Sequence, residues 1–355
     1  MAGKHRSQAL LADHLRRMEA ERVKPTSYSD FFPSERLADT YQSLFVSSST
    51  LMGRCPCPVD GEKTRCCNLK TLDAVQQCAF GCSYCSIQSF YNSHEIKVVQ
   101  NLKQRLGELV LDQDCWHIGT GQSSDSLLWG NDYGTLDALA LLAQRYPDLV
   151  IELKTKSHRS DYLNLNLPLN IVSTWSLNAP TIIEKEEHLT ATLEQRIDAA
   201  KRARDKGRII GFHLHPMVYF DGWQEEYGTL INQVTTSFRP DELMMFSLGT
   251  LTFTKAVLRT LRTGAYETRV TDMDLTLSAG KYTYPLEVKQ EMFSFAYNEV
   301  PSSWKQGSPF FYLCMEDPSL WEPTFGFSYE NDAAFERAMK QSYQDCLQAW
   351  RRRNL

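Results

Sequence analysis

Cys78-Ala-Phe-Gly-Cys82-Ser-Tyr-Cys85 is the stretch from which the rest of this chain is read. Its thiols are spaced C-x3-C-x2-C, three cysteines within eight residues. A four-iron, four-sulfur cube normally takes four thiolates, so three leave one iron without a protein ligand. An open iron of that kind suits a small molecule that chelates through its own nitrogen and oxygen atoms. Zinc is the alternative, although zinc favours two C-x2-C halves. The aromatic Tyr84 stands just inside the last cysteine.

Upstream lies a second dense set, Cys55-Pro-Cys57-x8-Cys66-Cys67, introduced by Gly53-Arg54. One reading is a second metal site, zinc or an auxiliary iron–sulfur cluster. The other is a thiol-rich loop packed over the first motif, with no metal of its own. Adjacent Cys66 and Cys67 are awkward as two ligands to one ion, and the nearby Lys63-Thr-Arg65 favours thiolate or an anion. The whole chain has ten cysteines and no apolar leader, so they read as metal ligands in a reducing cytoplasm rather than as disulfides. No apolar run is long enough to cross a bilayer. A composition of 42% hydrophobic and 23% charged residues over 355 residues fits a globular chain with a full core. The net charge of −5 counts against a broadly nucleic-acid-coated surface, without excluding a local basic groove.

Short apolar runs alternate with helical stretches beyond the thiol motif. Strands are expected at Thr71–Val75, Cys115–Ile118, Leu149–Leu153, Ile171–Leu177, Ile209–Leu214 and Leu243–Leu248. Helices are expected at Asn101–Leu111, Thr135–Arg145, Leu193–Lys206 and Gln224–Thr236. The alternation predicts βαβ units and a parallel sheet. In a barrel-like parallel sheet the functional loops gather at the C-terminal strand ends. Cys78–Cys85, Gly119–Asp125, Lys156, Ser176–Asn178 and His215-Pro216 all fall there. Residues 1–70 read as an N-terminal extension, with an amphipathic helix over 1–24, a short helix around Ser34–Ser47 and the second cysteine set. Residues 71–250 read as the barrel core. Residues 251–355 read as a C-terminal region: antiparallel strands at Gly280–Tyr284 and Met292–Tyr297, a last strand at Phe310–Met315 and a closing helix over Asn331–Arg352. Its aromatic residues with Lys281 and Lys289 read as sheet core in preference to a base-stacking surface.

The C-x3-C-x2-C motif resembles the signature of the radical S-adenosylmethionine (AdoMet) superfamily. More closely, the stretches Gly119-Thr-Gly-Gln-Ser-Ser-Asp125, Leu153-Lys-Thr-Lys156, Ser173-Thr-Trp-Ser-Leu-Asn178, Glu187-His-Leu-Thr190, Leu193-Glu-Gln-Arg196 and Gly211-Phe-His-Leu-His-Pro216 resemble the spore photoproduct lyase family over about residues 72–250. The resemblance implies a partial (β/α)6 TIM-type barrel and lyase-type radical chemistry. It implies a [4Fe-4S] cluster on Cys78, Cys82 and Cys85, and AdoMet contacts from Tyr84, Ser124, Lys156 and Ser176, with His215 shaping the adenosine pocket. Glu187 and Arg196 are expected as a structural pair. A flavodoxin or ferredoxin is the implied electron donor.

The chain departs from the family at the hydrogen-donor cysteine, where Gln122 stands, and after the last cluster cysteine, where Ser86 replaces a tyrosine. Cys115 and Cys314 read as packing thiols rather than substitutes for that donor. The expected function is therefore reductive AdoMet cleavage and hydrogen abstraction from a substrate other than the founding DNA lesion, a nucleic-acid base being one option. The alternative is a non-catalytic iron–sulfur or zinc protein that senses redox state or binds nucleic acid; Lys156 and Ser176 argue against it.

Overall fold

The structure is a computed structural model describing residues 41–45, 51–55, 63–87, 95–263, 268, 270 and 274–353. The expected helix over 1–24 and Cys57 lie outside the described residues. The main sheet has eight strands among the described residues and curls into a half-barrel. Its order in space is β2 (Met52–Arg54), β3 (Lys70–Leu72), β6 (His117–Gly119), β7 (Val150–Thr155), β8 (Ile171–Ser176), β9 (Ile210–Met217), β10 (Leu243–Thr250) and β14 (Phe310–Leu313). All neighbours are parallel except β2 and β3. The fold is the mixed α/β partial barrel expected from the strand–helix alternation, with a strand added at each edge.

Helices cover the outer face. They are α1 (Leu102–Glu108), α2 (Thr135–Arg145), α3 (Pro180–Glu186), α4 (Leu193–Asp205), α5 (Trp223–Ser237), α6 (Lys255–Thr263), α7 (Leu286–Glu299), α8 (Trp321–Phe325) and α9 (Asp332–Arg353). The α4 start is fixed by a reciprocal capping box between Thr192 and Gln195. Leu106 and Leu139 pack with Ile118, Ile151 and Leu153 in one apolar cluster. Trp175, Phe212 and Phe246 pack with residues of α4, α5, α7 and α9 in a second.

Alternation along the strands places polar side chains on the opposite face. On β7, Glu152 and Lys154 alternate with Ile151 and Leu153. On β8 and β9, Thr174, Ser176 and His213 alternate with Trp175, Phe212 and Leu214. The half-barrel is thus closed by apolar residues outside and lined by polar ones inside. Among the described residues, no helix is long and apolar enough to cross a membrane.

Two expected elements differ. Met292–Tyr297 is not a strand but part of α7. Its alternating aromatic pattern is overruled by the buried set Lys289, Met292, Phe293 and Ala296, which recurs at helical spacing and faces the core. Within Ser34–Ser47, read as a short helix, Tyr41–Phe45 forms strand β1, paired in parallel with β5 (Glu95–Val99). The β-branched Ile96, Val98 and Val99 make β5 a strong strand partner. The Gly280 stretch does form an antiparallel hairpin, between β12 (Thr276–Ser278) and β13 (Lys281–Thr283), and β11 (Thr252–Phe253) pairs antiparallel with β13.

Candidate active site

The Cys78–Cys85 loop follows β3 and the short β4 (Val75–Gln76), at the C-terminal side of the half-barrel. It is tied to the scaffold by Ser83, whose N–H donates to the Glu186 carbonyl at 2.9 Å and whose hydroxyl donates to the Glu186 carboxylate. Gly81 supplies a left-handed turn, φ 66°, between the first two thiols. Cys78, Cys82 and Cys85 line one cavity of about 190 Å3. Burial, with Asp125 adding to it, pushes the Cys78 thiol up to about 12. Burial also raises Cys82, against the pull of Lys156, and Cys85.

Every residue that the family resemblance links to AdoMet lines this same cavity: Tyr84, Ser124, Lys156, Ser176 and His215. They arrive from the thiol loop, the β6 loop and the ends of β7, β8 and β9. Glu187 is the hub that fixes them. Its carboxylate accepts from Lys156 Nζ at 2.9 Å, from Asn178 Nδ2 at 3.1 Å and from Arg196 Nη2 at 2.6 Å, and also from the Tyr84 hydroxyl. Burial alone would raise its pKa, but Arg196 and Lys156 outweigh that and hold it well below the usual carboxylate range. Arg196 is fully buried and also donates to the Ser176 carbonyl at 2.8 Å. The Glu187–Arg196 pair expected from sequence is therefore present, and it also holds Lys156. One carboxylate thus faces two cations, with the Asp125 carboxylate on the same cavity beside Cys78.

Asp125 locks the other wall. It accepts from Thr155 Oγ1 and the Lys156 N–H, each at 2.7 Å, and from the Leu127 N–H at 3.0 Å. Asn178 completes the frame, accepting from the Tyr227 hydroxyl at 2.6 Å. Asp125 and Asn178 close two of the strand-end motifs, whose pattern alone assigns them no role. Polar residues just after an apolar strand are the signal that finds them.

A second cavity of about 360 Å3 adjoins the first and shares Ser86, Gly121, Gln122, Lys154 and His215 with it. Cys55, Cys67 and Cys314 line it, together with His117, Glu152 and His213. Cys66 is buried beside them, its Sγ accepting from Arg54 Nη2 at 3.4 Å and the Asn68 N–H at 3.3 Å. Cys314, read as a packing thiol, stands just past the end of β14 on the cavity wall. Cys115 does not line either cavity. Gln122, at the donor position, lines both cavities and packs its side chain over Gly119, where a Cβ would meet Gln122 Nε2 at 2.8 Å.

Glu152 is held well below the usual carboxylate range by His213 and His117, against burial. Its oxygens accept from His213 Nε2 at 2.6 Å, Thr174 Oγ1 at 2.7 Å and His117 Nε2 at 3.1 Å. Burial, reinforced by Lys154, lowers His213 to about 4, so it is neutral at pH 7. That network assigns its Nδ1 as acceptor from Ser247 Oγ at 2.6 Å.

Among the described residues, no three His, Cys, Asp or Glu side chains converge as a single metal ion requires. Thiols spaced around a cavity fit a multi-iron cube, whose thiolates bind separate irons, better than one zinc ion.

A family model described as spore photoproduct lyase matches residues 143–300. The match includes Lys156, Ser176, Glu187, Arg196 and His215 and begins beyond the thiol loop. The spore photoproduct lyase of Clostridium acetobutylicum is 26% identical over 133 residues, 36% of this chain and 39% of that protein. The chain thus spans about two-fifths of that relative's length. A solved spore photoproduct lyase complexed with dinucleoside spore photoproduct superposes with a TM-score of 0.64 at 17% identity, over 82% of this chain and 86% of that one. A mutant spore photoproduct lyase with bound AdoMet and dinucleoside spore photoproduct gives a TM-score of 0.61 at 19% identity, over 82% and 86%. The chain thus shares its half-barrel fold with solved spore photoproduct lyases, and over residues 143–300 it is similar to the spore photoproduct lyase family.

Proposed function

We propose that this protein is a radical AdoMet enzyme acting on a substrate held in the larger cavity. The observation that carries the reading is the single cavity shared by Cys78, Cys82, Cys85 and the AdoMet candidates Tyr84, Ser124, Lys156, Ser176 and His215. A [4Fe-4S] cluster on the three thiols would supply the electron, from a flavodoxin or ferredoxin, that splits AdoMet to a 5′-deoxyadenosyl radical able to abstract hydrogen.

The protein's own part is binding, orientation and exclusion of water. Lys156, held by Glu187 and by the Tyr84 hydroxyl at 3.1 Å, is positioned for a charge-assisted contact with the AdoMet carboxylate. Tyr84 carries Lys156 over its ring at 5.6 Å and offers the same ring to an adenine. The Ser176 side chain is free to bind because Arg196 uses its carbonyl instead. Gln122 at the donor position has no weak S–H bond, which supports a reaction outcome different from that of the founding repair enzyme.

The test is anaerobic incubation of reduced, reconstituted protein with AdoMet, followed by quantification of 5′-deoxyadenosine. Its formation in the wild type and its absence in Cys82→Ala support the reading. Iron loading with no AdoMet binding would favour the non-catalytic alternative. Turnover of ultraviolet-damaged DNA would return the protein to photoproduct repair.

A further inference from the structure

We propose that the larger cavity binds a substrate bearing an anionic group, a carboxylate or phosphate, and that Lys154 is the residue that holds it. The word substrate rests on the radical AdoMet reading; the anion site itself does not.

Glu152 and Lys154 sit two residues apart on β7, with Lys156 following two residues on, so all three share the interior side of the half-barrel. Two of them are fully engaged. Lys156 is paired with Glu187 at 2.9 Å. Glu152 has both oxygens taken by His117, His213 and Thr174. Among the described residues, the Lys154 ammonium has neither an ion-pair carboxylate nor a hydrogen-bond acceptor. It is half-buried and lies where the two cavities meet.

The titratable groups His213, His215 and Cys314 feel its charge and are neutral at pH 7. Burial, then Lys154 itself, keeps His213 at about 4 and holds His215 well below the ordinary histidine range. Burial keeps the Cys314 thiol at about 12 in spite of the Lys154 charge. A partly desolvated ammonium beside a carboxylate, Glu152, whose oxygens are already taken by His117, His213 and Thr174 carries a cost that a bound anion removes. The position is built to be there. The β6 loop lies directly on it, and a Cβ at Gly121 would meet the Lys154 carbonyl oxygen at 2.8 Å and its Cβ at 2.9 Å.

Two orphaned acceptors stand on the same walls. His117 is 4% exposed, donates through Nε2 to Glu152, and has no partner for its Nδ1. Gln122 has a buried Oε1 without a partner. An anion for Lys154 with adjacent N–H or O–H groups for His117 and for Gln122 would satisfy all three. The AdoMet carboxylate is the other source of such an anion, since Lys154 also borders the smaller cavity. Against it, Lys156 already lines the smaller cavity as a cation for that carboxylate, whereas His117 lines only the larger one.

The experiment compares full-length reconstituted wild type with Lys154→Met, which keeps the aliphatic stem and removes the charge. Melting is followed in phosphate and in acetate, each against chloride at equal ionic strength. S-adenosylhomocysteine binding is measured by calorimetry. Phosphate or acetate at about ten times its dissociation constant should raise the wild-type melting temperature by about 2 °C. Lys154→Met should lose that shift, melt no lower than wild type without anion, and bind S-adenosylhomocysteine within about threefold of wild type. Equal anion shifts in both proteins, or none in either, would overturn the proposal. So would a lower melting temperature in the variant, which would make Lys154 structural. A tenfold or greater loss of S-adenosylhomocysteine affinity would assign Lys154 to the AdoMet carboxylate instead. If wild type fails to bind S-adenosylhomocysteine at all, the radical AdoMet reading fails while the anion arms still judge Lys154.

Discussion

The two adjoining cavities differ in how their polar groups are satisfied. Around the smaller one, Glu187 holds Arg196, Lys156 and Asn178, and Asp125 holds the Lys156 N–H from the other wall. On the larger one His117 Nδ1 is unmet, and Lys154, Gln122 Oε1 and His215 Nδ1 are unmet where the two cavities join; on the smaller one alone the unmet atom is Ser124 Oγ, among the described residues. Rigid pre-pairing suits a cofactor whose position must not vary, since a half-satisfied buried network is costly and loose. Unmet groups suit a ligand that comes and goes, at some expense of stability. The proposed cofactor and substrate sites would thus lie side by side in one half-barrel.

The largest expected effect breaks the fixed side. Glu187→Ala leaves Arg196 fully buried without its counter-ion and frees Lys156. Removing one partner of such a pair should cost about 3–5 kcal/mol in denaturant unfolding, with Glu187→Gln costing less. If Glu187→Ala were as mild as Lys154→Met, the contrast between the cavities would collapse.

Next comes Lys156→Met. Loss of a charge-assisted contact of about 1.5–3 kcal/mol should lower S-adenosylhomocysteine affinity roughly tenfold or more, read by calorimetry. The same substitution two residues earlier, at Lys154, should leave that affinity nearly unchanged.

A smaller effect appears as pH dependence. His213 has a folded pKa of about 4, below its unfolded value of about 6.5, so the unfolded chain binds the extra proton between those values. Stability is full above about pH 6.5 and falls as pH drops toward 4, by at most about 1.4 kcal/mol per pH unit for this one group. Glu187, with a depressed pKa, adds a fall of the same sign only below the usual carboxylate range. Unfolding curves of wild type and His213→Gln from pH 7 to 5 should diverge in slope; parallel curves would remove His213 from the account.

The smallest is Ser176→Ala. Its carbonyl bond to Arg196 survives, so stability should change by less than about 1 kcal/mol, while S-adenosylhomocysteine affinity drops a few-fold by calorimetry. An unchanged affinity would remove the Ser176 hydroxyl from the cofactor site.

The sequence made the smaller cavity legible because its residues sit at strand ends in a recognisable order. C-x3-C-x2-C, Lys156, Ser176 and His215 each follow a short apolar run, and a parallel sheet gathers such positions. The larger cavity was harder to see. Its thiols come from residues 55, 67 and 314, joined only by tertiary folding. Lys154 hid in Lys-Thr-Lys, which reads as a solvated run. The telling sign was period two: Glu152, Lys154 and Lys156 alternate with Ile151, Leu153 and Thr155 on a strand whose apolar face must be buried. The same periodicity misled at Met292–Tyr297, where aromatic alternation masked helical spacing.

The measurement that bears most directly on the central claim is iron and sulfide content with electron paramagnetic resonance, on anaerobically reconstituted wild type and Cys82→Ala, with and without AdoMet. The account predicts about four irons per chain on the three thiols and the open iron they leave, or about eight if the Cys55–Cys67 set also holds a cluster. It predicts a reduced-cluster signal that shifts on adding AdoMet, and loss of that signal in Cys82→Ala. Zinc in place of iron, or a cluster signal indifferent to AdoMet, would contradict it.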